Sequence, residues 1–359
     1  MFVGITNTII SSSWGSREGA ISELLGRRAS GEPEAELWFG AHPVSPSHVV
    51  GTVQTLLDIV DARLPFMLKV LAADSSLSLQ AHPTMIQAEE GFARENAMGI
   101  PVDAPGRNYR DAFHKPELIY ALHDGFEALC GFRPVAETRA ELAGVPDAAP
   151  LLARLRDDDS LRDTFEWLIT RGDGVDELVA ALSETGGPAL RSLAEHYPGD
   201  PGIVISLLLH RVTLRKGEVL YLPAGNIHAY QSGLGIEVMA SSDNVLRGGL
   251  TPKHVDVPEL LEVLDFRPIP VPYLVPEHPS SGVAVYRPDV PDFVLVRIED
   301  EGYYDLTGAA IAFCSDGDLE VTGATGASNL SFGDALYVTA DEGRVEFAGI
   351  GTVFLATTG

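Results

Sequence analysis

The chain has only two cysteines, Cys130 and Cys314, among 359 residues. Two cannot build a disulfide scaffold, and such scarcity fits a reducing, cytoplasmic setting. No apolar run approaches the ~20 residues that a membrane-crossing helix needs. The opening MFVGITNTIISSSWGS has no basic stretch ahead of its short apolar segment, so no secretory leader is expected. Positive charge is also scarce: 25 Lys and Arg face 51 Asp and Glu, for a net charge of -26. A chain so acidic repels nucleic acid and anionic membranes, which excludes both as partners. Any small anionic ligand must then be held by a local cluster of lysine, arginine or metal strong enough to reverse that field.

What is present is a chain of ordinary globular composition, 45% hydrophobic and 21% charged, long enough for two or three domains. Residues 1–135 read mostly as strands and loops. Pro65–Leu71 and Leu77–His82 are short alternating apolar runs, and Thr84–Met98 reads as a helix capped by Thr84. Residues 136–200 change to Ala, Leu, Glu, Asp and Arg at helical spacing. Gly172–Asp173–Gly174 and Gly186–Gly187–Pro188 break that stretch into separate helices. Strand patterns return over 201–265, in Gly202–Leu209, Glu218–Leu222 and Ile236–Met239. The remainder, 266–359, carries the dense alternation and turns of a sandwich or jelly roll. The expected fold is therefore mainly β with a helical insertion. Residues 1–135 with 201–265 form one discontinuous domain, 136–200 a helical domain, and 266–359 a second jelly-roll domain. Lys216–Pro223 (KGEVLYLP) and Phe332–Thr339 (FGDALYVT) share a glycine turn, an acid and an alternating strand, as a decayed duplication would.

Three segments carry chemistry. In LSLQAHP, Leu77–Pro83, strand alternation puts Ser78, Gln80 and His82 on one face and Leu77, Leu79 and Ala81 on the other. In HKPEL, Pro116 forces Lys115 towards extended geometry, so Lys115 and Glu117 share a face. Alone such a pair is an ordinary surface pair; beside a metal, Glu117 ligates and Lys115 has its pKa lowered. In GEVLYLPAGNIHAY, Gly217, Pro223, Gly225 and His228 fit the cupin spacing G-x5-P-x-G-x2-H, which turns His228 into a barrel mouth. Its closing Asn is replaced by Ser232. Gln80, His82, Glu117 and His228 together offer an amide, two imidazoles and one carboxylate. That set suits one divalent ion of borderline softness, Zn²⁺, and a single carboxylate leaves the ion its Lewis acidity. Glu237, flanked by the oppositely facing Ile236 and Val238, points into the polar interior, as a base or as an ion-pair partner of a nearby cation. Trp38 and His42 read as structural or rim residues, and Asp243 and Lys253 as turn or rim residues.

In this order, ELWFGAHP, PFMLKVL, LSLQAHP, YRDAFHKPEL, LPAGNIHAY and SSDNVLRGGLTPKHVD resemble the type I mannose-6-phosphate isomerase family, from about Trp14 to Leu264. The resemblance implies a cupin catalytic domain, a helical domain and a further jelly roll. It also implies zinc ligands at Gln80, His82, Glu117 and His228, one ion per chain. The family's active-site arginine falls on Arg247 and its lysines on Lys69 and Lys115. Two departures stand out: Phe113 where Asn commonly precedes HKPE, and a serine run, Ser11–Ser13, ahead of Trp14.

The implied activity is interconversion of mannose 6-phosphate and fructose 6-phosphate through a cis-enediol(ate), in mannose metabolism or GDP-mannose biosynthesis. It needs a base near C2, a stabiliser for the developing oxyanion and a grip on the phosphate. Arg247, Lys115 and Glu237 are the catalytic candidates; Lys69, Ser78 and Arg247 are the substrate-binding ones. The competing readings are a metal-binding cupin of different sugar-phosphate specificity, an iron oxygenase, and a non-catalytic sugar binder. The expected partner is a small sugar phosphate, and the oligomeric state is left open, a monomer being compatible.

Overall fold

The structure is a computed structural model that describes residues 1–359. Its centre is the long strand His228–Ala240, which pairs antiparallel with Phe66–Ala73, Glu117–Ala121 and Phe126–Phe132, and at its start with Gln80–Ala81. Alternation sorts the side chains. Phe66, Leu68, Val70 and Ala72 pack outward with Leu118, Tyr120, Ile236 and Val238. Leu71, Ala73, Ile119, Ala121 and Tyr230 pack inward with Phe126, Leu220 and Leu222. The inward positions nearest the barrel mouth are the polar ones.

The outward layer is buried by a second sheet, contributing Leu295, Ile311, Phe313, Tyr337 and Phe354 to the same core. That sheet runs, in pairing order, through Val283–Tyr286, Val294–Asp305, Arg344–Thr357, Ala310–Thr322 and Ala335–Val338. Its next member is Phe2–Thr6, at the other end of the chain, with Phe2 opposite Val338 and Ile5 opposite Ala335. Gly217 and Gly333, the glycines of the two similar segments, have φ of 90° and 83°, and each leads into a four-residue strand, Val219–Leu222 or Ala335–Val338. Both turns need the left-handed backbone that glycine adopts freely.

Helices fill the stretch between Val135 and Leu208, including Leu161–Ile169, Val175–Thr185 and Pro188–His196, separated at the expected glycine breaks. Their core continues into Leu79, Ala81, Ile227, Ala229 and Leu246, the backs of the strands whose fronts carry site residues. Met85–Ala97 is helical with the Thr84 side chain accepting from the Gln87 N–H, as a capping box. The expected strand Gly202–Leu209 is a correction: Gly202–Ile205 is α-helical, Ser206–Leu208 is 3-10, and the strand starts at Leu209. An unbroken apolar run buried on all sides has no alternation to distinguish strand from helix, and here it is enclosed by the helical core. We propose a three-part division of the chain in which the helical part runs on to Leu208, the strands resume at Leu209, and the first strand is lent to the C-terminal sheet.

Candidate metal centre and active-site cavity

His82, Glu117 and His228 converge from three separate segments, with one potential ligand atom of each lying within 4.8 Å of the others. His228 Nε2 is 2.9 Å from Glu117 Oε1, and His82 Nε2 is 3.4 Å from Glu117 Oε2. All three residues are at most 1% exposed. Their tautomers follow from their other ring nitrogens: His82 Nδ1 donates to the Asn244 carbonyl at 2.8 Å and His228 Nδ1 to the Asn226 carbonyl at 3.0 Å. Each ring thus turns a bare Nε2 towards the carboxylate. Burial, and then the Lys115 ammonium, push His82 down to about 4, so its imidazole is neutral, as a ligand must be. Burial alone would raise the Glu117 carboxyl, but Lys115, His228 and His82 outweigh it and hold it well below the usual range.

The donor chemistry fits a metal. His82 Nε2 and Glu117 Oε2 are buried with no hydrogen-bond partner, a costly arrangement that a cation relieves. Gln80 joins the cluster through strand register, opposite His228, with its amide nitrogen 3.4 Å from His228 Nε2. Turning that amide over, which leaves its shape unchanged, presents the oxygen instead. Tyr230 donates its hydroxyl to Glu117 Oε1 at 3.2 Å, and Lys115 Nζ lies 3.3 Å from Glu117 Oε2.

The cluster borders a cavity of about 1200 Å³ that Gln80 and Lys115 help to line. Eight lysines and arginines against five carboxylates line it, a local reversal of the chain's net charge of -26. Lys69 and Glu237 stand opposite each other in strand register, and a second carboxylate, Glu36, lies 3.2 Å from Lys69 Nζ on its other side. Burial would lower the Lys69 ammonium, but Glu36 and Glu237 raise it above its ordinary value. Glu237 is raised by burial, and further by Glu117, against the pull of Lys69. Lys69 Nζ also sits 4.6 Å above the Trp38 ring.

Further along the cavity, Arg247 lies opposite Gln80 in the short ladder Leu246–Arg247 with Gln80–Ala81. Burial, and then Arg110, lower Arg247; burial, Arg247 and Arg110 lower Lys253. These three cations therefore crowd one end of the cavity, and none forms an ion pair. Ser78 lines the same cavity.

The structure thus brings Gln80, His82, Glu117, His228, Lys115, Glu237, Lys69, Ser78 and Arg247 to one place. Sequence reasoning missed Arg110, whose only signal was its position in YRDAFHKPEL, and treated Lys253 as rim. His42 is buried: its Nδ1 accepts from the Val44 N–H, and its Nε2 lies 3.4 Å from Asp243 Oδ2 at the cavity wall. His114 instead ties the two sheets together, 2.8 Å from Asp292. Phe113 lies 3.5 Å beneath the Arg63 guanidinium, outside the cavity lining, whereas Ser11–Ser13 and Trp14 line it.

Residues 2–135 match the family model of the phosphomannose isomerase type I catalytic domain. The chain is 36% identical to mannose-6-phosphate isomerase of Escherichia coli K12, with 97% of each chain covered. It is 34% identical to the Homo sapiens mannose-6-phosphate isomerase over 79% of this chain and 76% of that one. Its fold superposes with a TM-score of 0.90 and 34% identity, over 99% of both chains, on mannose 6-phosphate isomerase from Salmonella typhimurium bound to fructose 6-phosphate and zinc.

Proposed function

This chain belongs to the type I phosphomannose isomerase family, and from that premise we infer that it is a zinc-dependent aldose–ketose isomerase interconverting D-mannose 6-phosphate and D-fructose 6-phosphate. The observation that carries this reading is the buried His82–Glu117–His228 cluster, in which His82 Nε2 and Glu117 Oε2 make no hydrogen bond, beside a cationic cavity in an otherwise acidic protein. We propose Gln80, His82, Glu117 and His228 as the residues that hold one zinc ion. When bound, zinc supplies Lewis acidity towards sugar hydroxyl and carbonyl oxygens and a fixed positive charge.

The remaining work falls to side chains. We assign the proton transfer between C1 and C2 to Glu237, whose raised pKa makes it a better base than an exposed carboxylate. Lys69, held between Glu36 and Glu237, orients that carboxylate and binds sugar hydroxyls, with Ser78 as a hydroxyl partner. Lys115 offsets the negative charge that develops on O1 and O2 in the enediolate. Arg247, with Arg110 and Lys253, takes the phosphate at the end of the cavity where cations crowd. Lys115 is the rival base: if it holds that role, its loss abolishes the acidic limb of the pH–rate profile, whereas with Glu237 as the base it is loss of Glu237 that does so.

Two free, buried cysteines support placing the enzyme in the cytoplasm. We place its reaction in mannose metabolism, including supply towards GDP-mannose biosynthesis. The direct test is a coupled assay on mannose 6-phosphate with metal analysis. One zinc per chain and formation of fructose 6-phosphate are expected. Iron in place of zinc, with no fructose 6-phosphate formed, overturns the reading.

A further inference from the structure

The segment that carries Arg247 and Lys253 is fastened along its length. Gly248 N–H donates to the Leu79 carbonyl at 2.8 Å, and Leu79 N–H donates to that of Gly249 at 3.0 Å, which fixes Arg247 beside the strand of Gln80. Beyond that point the backbone takes a costly turn: Gly249 has φ of 120° and Leu250 has φ of 51°. A left-handed conformation at a bulky, fully buried leucine persists only where its surroundings impose it.

The imposing group comes from the helical region. Asp200 Oδ1 accepts from the Leu250 N–H at 2.9 Å and from the Gly202 N–H at 2.7 Å, and its Oδ2 accepts from the Thr251 N–H at 3.2 Å. Lys253 N–H then donates to Thr251 Oγ1 at 3.1 Å, which carries the same constraint on to the lysine. The approach is close enough that a side chain at Gly202 would meet the Leu250 nitrogen at 2.6 Å. Three residues earlier, the Tyr197 hydroxyl donates to the Ser76 carbonyl at 2.6 Å, just ahead of Ser78 and Gln80. One turn of the helical region, 197–200, therefore grips both chain segments that lead to the cavity's polar wall.

Asp200 itself lines the cavity. A carboxylate there opposes binding of an anion unless its charge is spent on donors, and here it accepts three backbone N–H groups. We propose that Asp200 is a positioning residue for anion binding: by holding Leu250 and Thr251 it sets the separation of Arg247 and Lys253, and so their joint grip on the sugar phosphate. This inference rests on the assignment of those two cations to the phosphate.

The test compares the zinc-loaded Asp200→Asn, Asp200→Ala and Lys253→Ala enzymes. Five quantities are measured: KM and kcat on mannose 6-phosphate, the dissociation constant of inorganic phosphate by calorimetry, zinc content, and Tm. Loss of charge-assisted bonds to the loop is expected to raise KM and the phosphate constant in parallel, about tenfold or more in Asp200→Ala. Asp200→Asn, which keeps Oδ1 and loses only the acceptor for Thr251, is expected to show a smaller rise. In both, kcat and zinc content change far less than KM. If Asp200→Ala fails to fold, the same comparison is read from Asp200→Asn. If Lys253→Ala weakens phosphate binding and neither Asp200 variant does, this inference falls alone. If Lys253→Ala leaves phosphate binding unchanged, the phosphate assignment falls and takes the inference with it. A variant that loses zinc, Tm and kcat together at constant KM marks Asp200 as a structural group only, and also overturns the proposal.

Discussion

Glu237 and Lys69 face each other across neighbouring antiparallel strands, with Oε2 and Nζ 3.2 Å apart and both side chains no more than 6% exposed. Neither group has water to fall back on, so each sets the charge state of the other. Glu237→Gln removes the proposed base and leaves Lys69 paired with Glu36 alone. Its kcat is expected to fall by about 10²–10⁴ with zinc content unchanged, the range for loss of a general base. A steady-state assay with metal analysis checks both, and a kcat within threefold of the parent removes Glu237 from that role.

Metal binding responds in two grades. His82→Ala and Glu117→Gln each lose a ligand and are expected to bind zinc far more weakly than the parent. Tyr230→Phe removes only the hydroxyl that supports Glu117, and its zinc affinity is expected to fall about 10- to 100-fold. Competition with a chelator measures all three. Treating the parent with the chelator abolishes turnover, and added Zn²⁺ restores it.

Arg247→Ala leaves the metal cluster intact and is expected to keep near-normal zinc while losing turnover. Because the phosphate is held by exposed and half-exposed cations, KM in the parent is expected to rise with ionic strength. Equal activity in Arg247→Ala, or a KM indifferent to salt, contradicts the placement of the phosphate.

Asp243 sets a pH dependence. Burial would raise its carboxyl, but the His42 hydrogen bond, the His42 charge, Lys115 and Arg110 outweigh it and hold it below its ordinary value of 3.8. A depressed carboxyl stabilises the fold once the unfolded form has ionised. The contribution is therefore complete above about pH 4 and is lost as pH falls further, through the folded value. In Asp243→Asn, the slope of Tm against pH below 4 is expected to flatten; an unchanged slope rules out the pairing.

The two sheets depend on shared aromatic packing. Phe39 and Phe313 come from opposite sheets, with ring centroids 5.4 Å apart and both residues buried. Phe313→Ala is expected to cost about 3–5 kcal/mol by leaving a cavity at that boundary. Denaturant unfolding gives the value, and a loss under 1 kcal/mol indicates that the sheets repack.

Much of the site was legible because strand alternation is a short-range rule. Gln80 and His82 follow from one face of LSLQAHP, Glu237 from its neighbours Ile236 and Val238, and His228 from a turn motif. Arg110 was not legible, since nothing local distinguishes an arginine that joins two other cations from one facing solvent. The proximity depends on Arg247 and Lys253 arriving from more than a hundred residues away. Asp200 was hidden for the same reason: its role is defined by backbone groups at Leu250 and Thr251. The helix at Gly202–Ile205 was misread because periodicity vanishes where every face is covered.

The strand Phe2–Thr6 finds its partner only in Ala335–Val338 and His48–Val49. During synthesis its main neighbour leaves the ribosome more than three hundred residues later. At ~5–20 residues per second, that strand waits some tens of seconds with most of its ladder unformed. Closure of the C-terminal sheet is thus a late event, and the early strand must be kept from pairing elsewhere in the meantime.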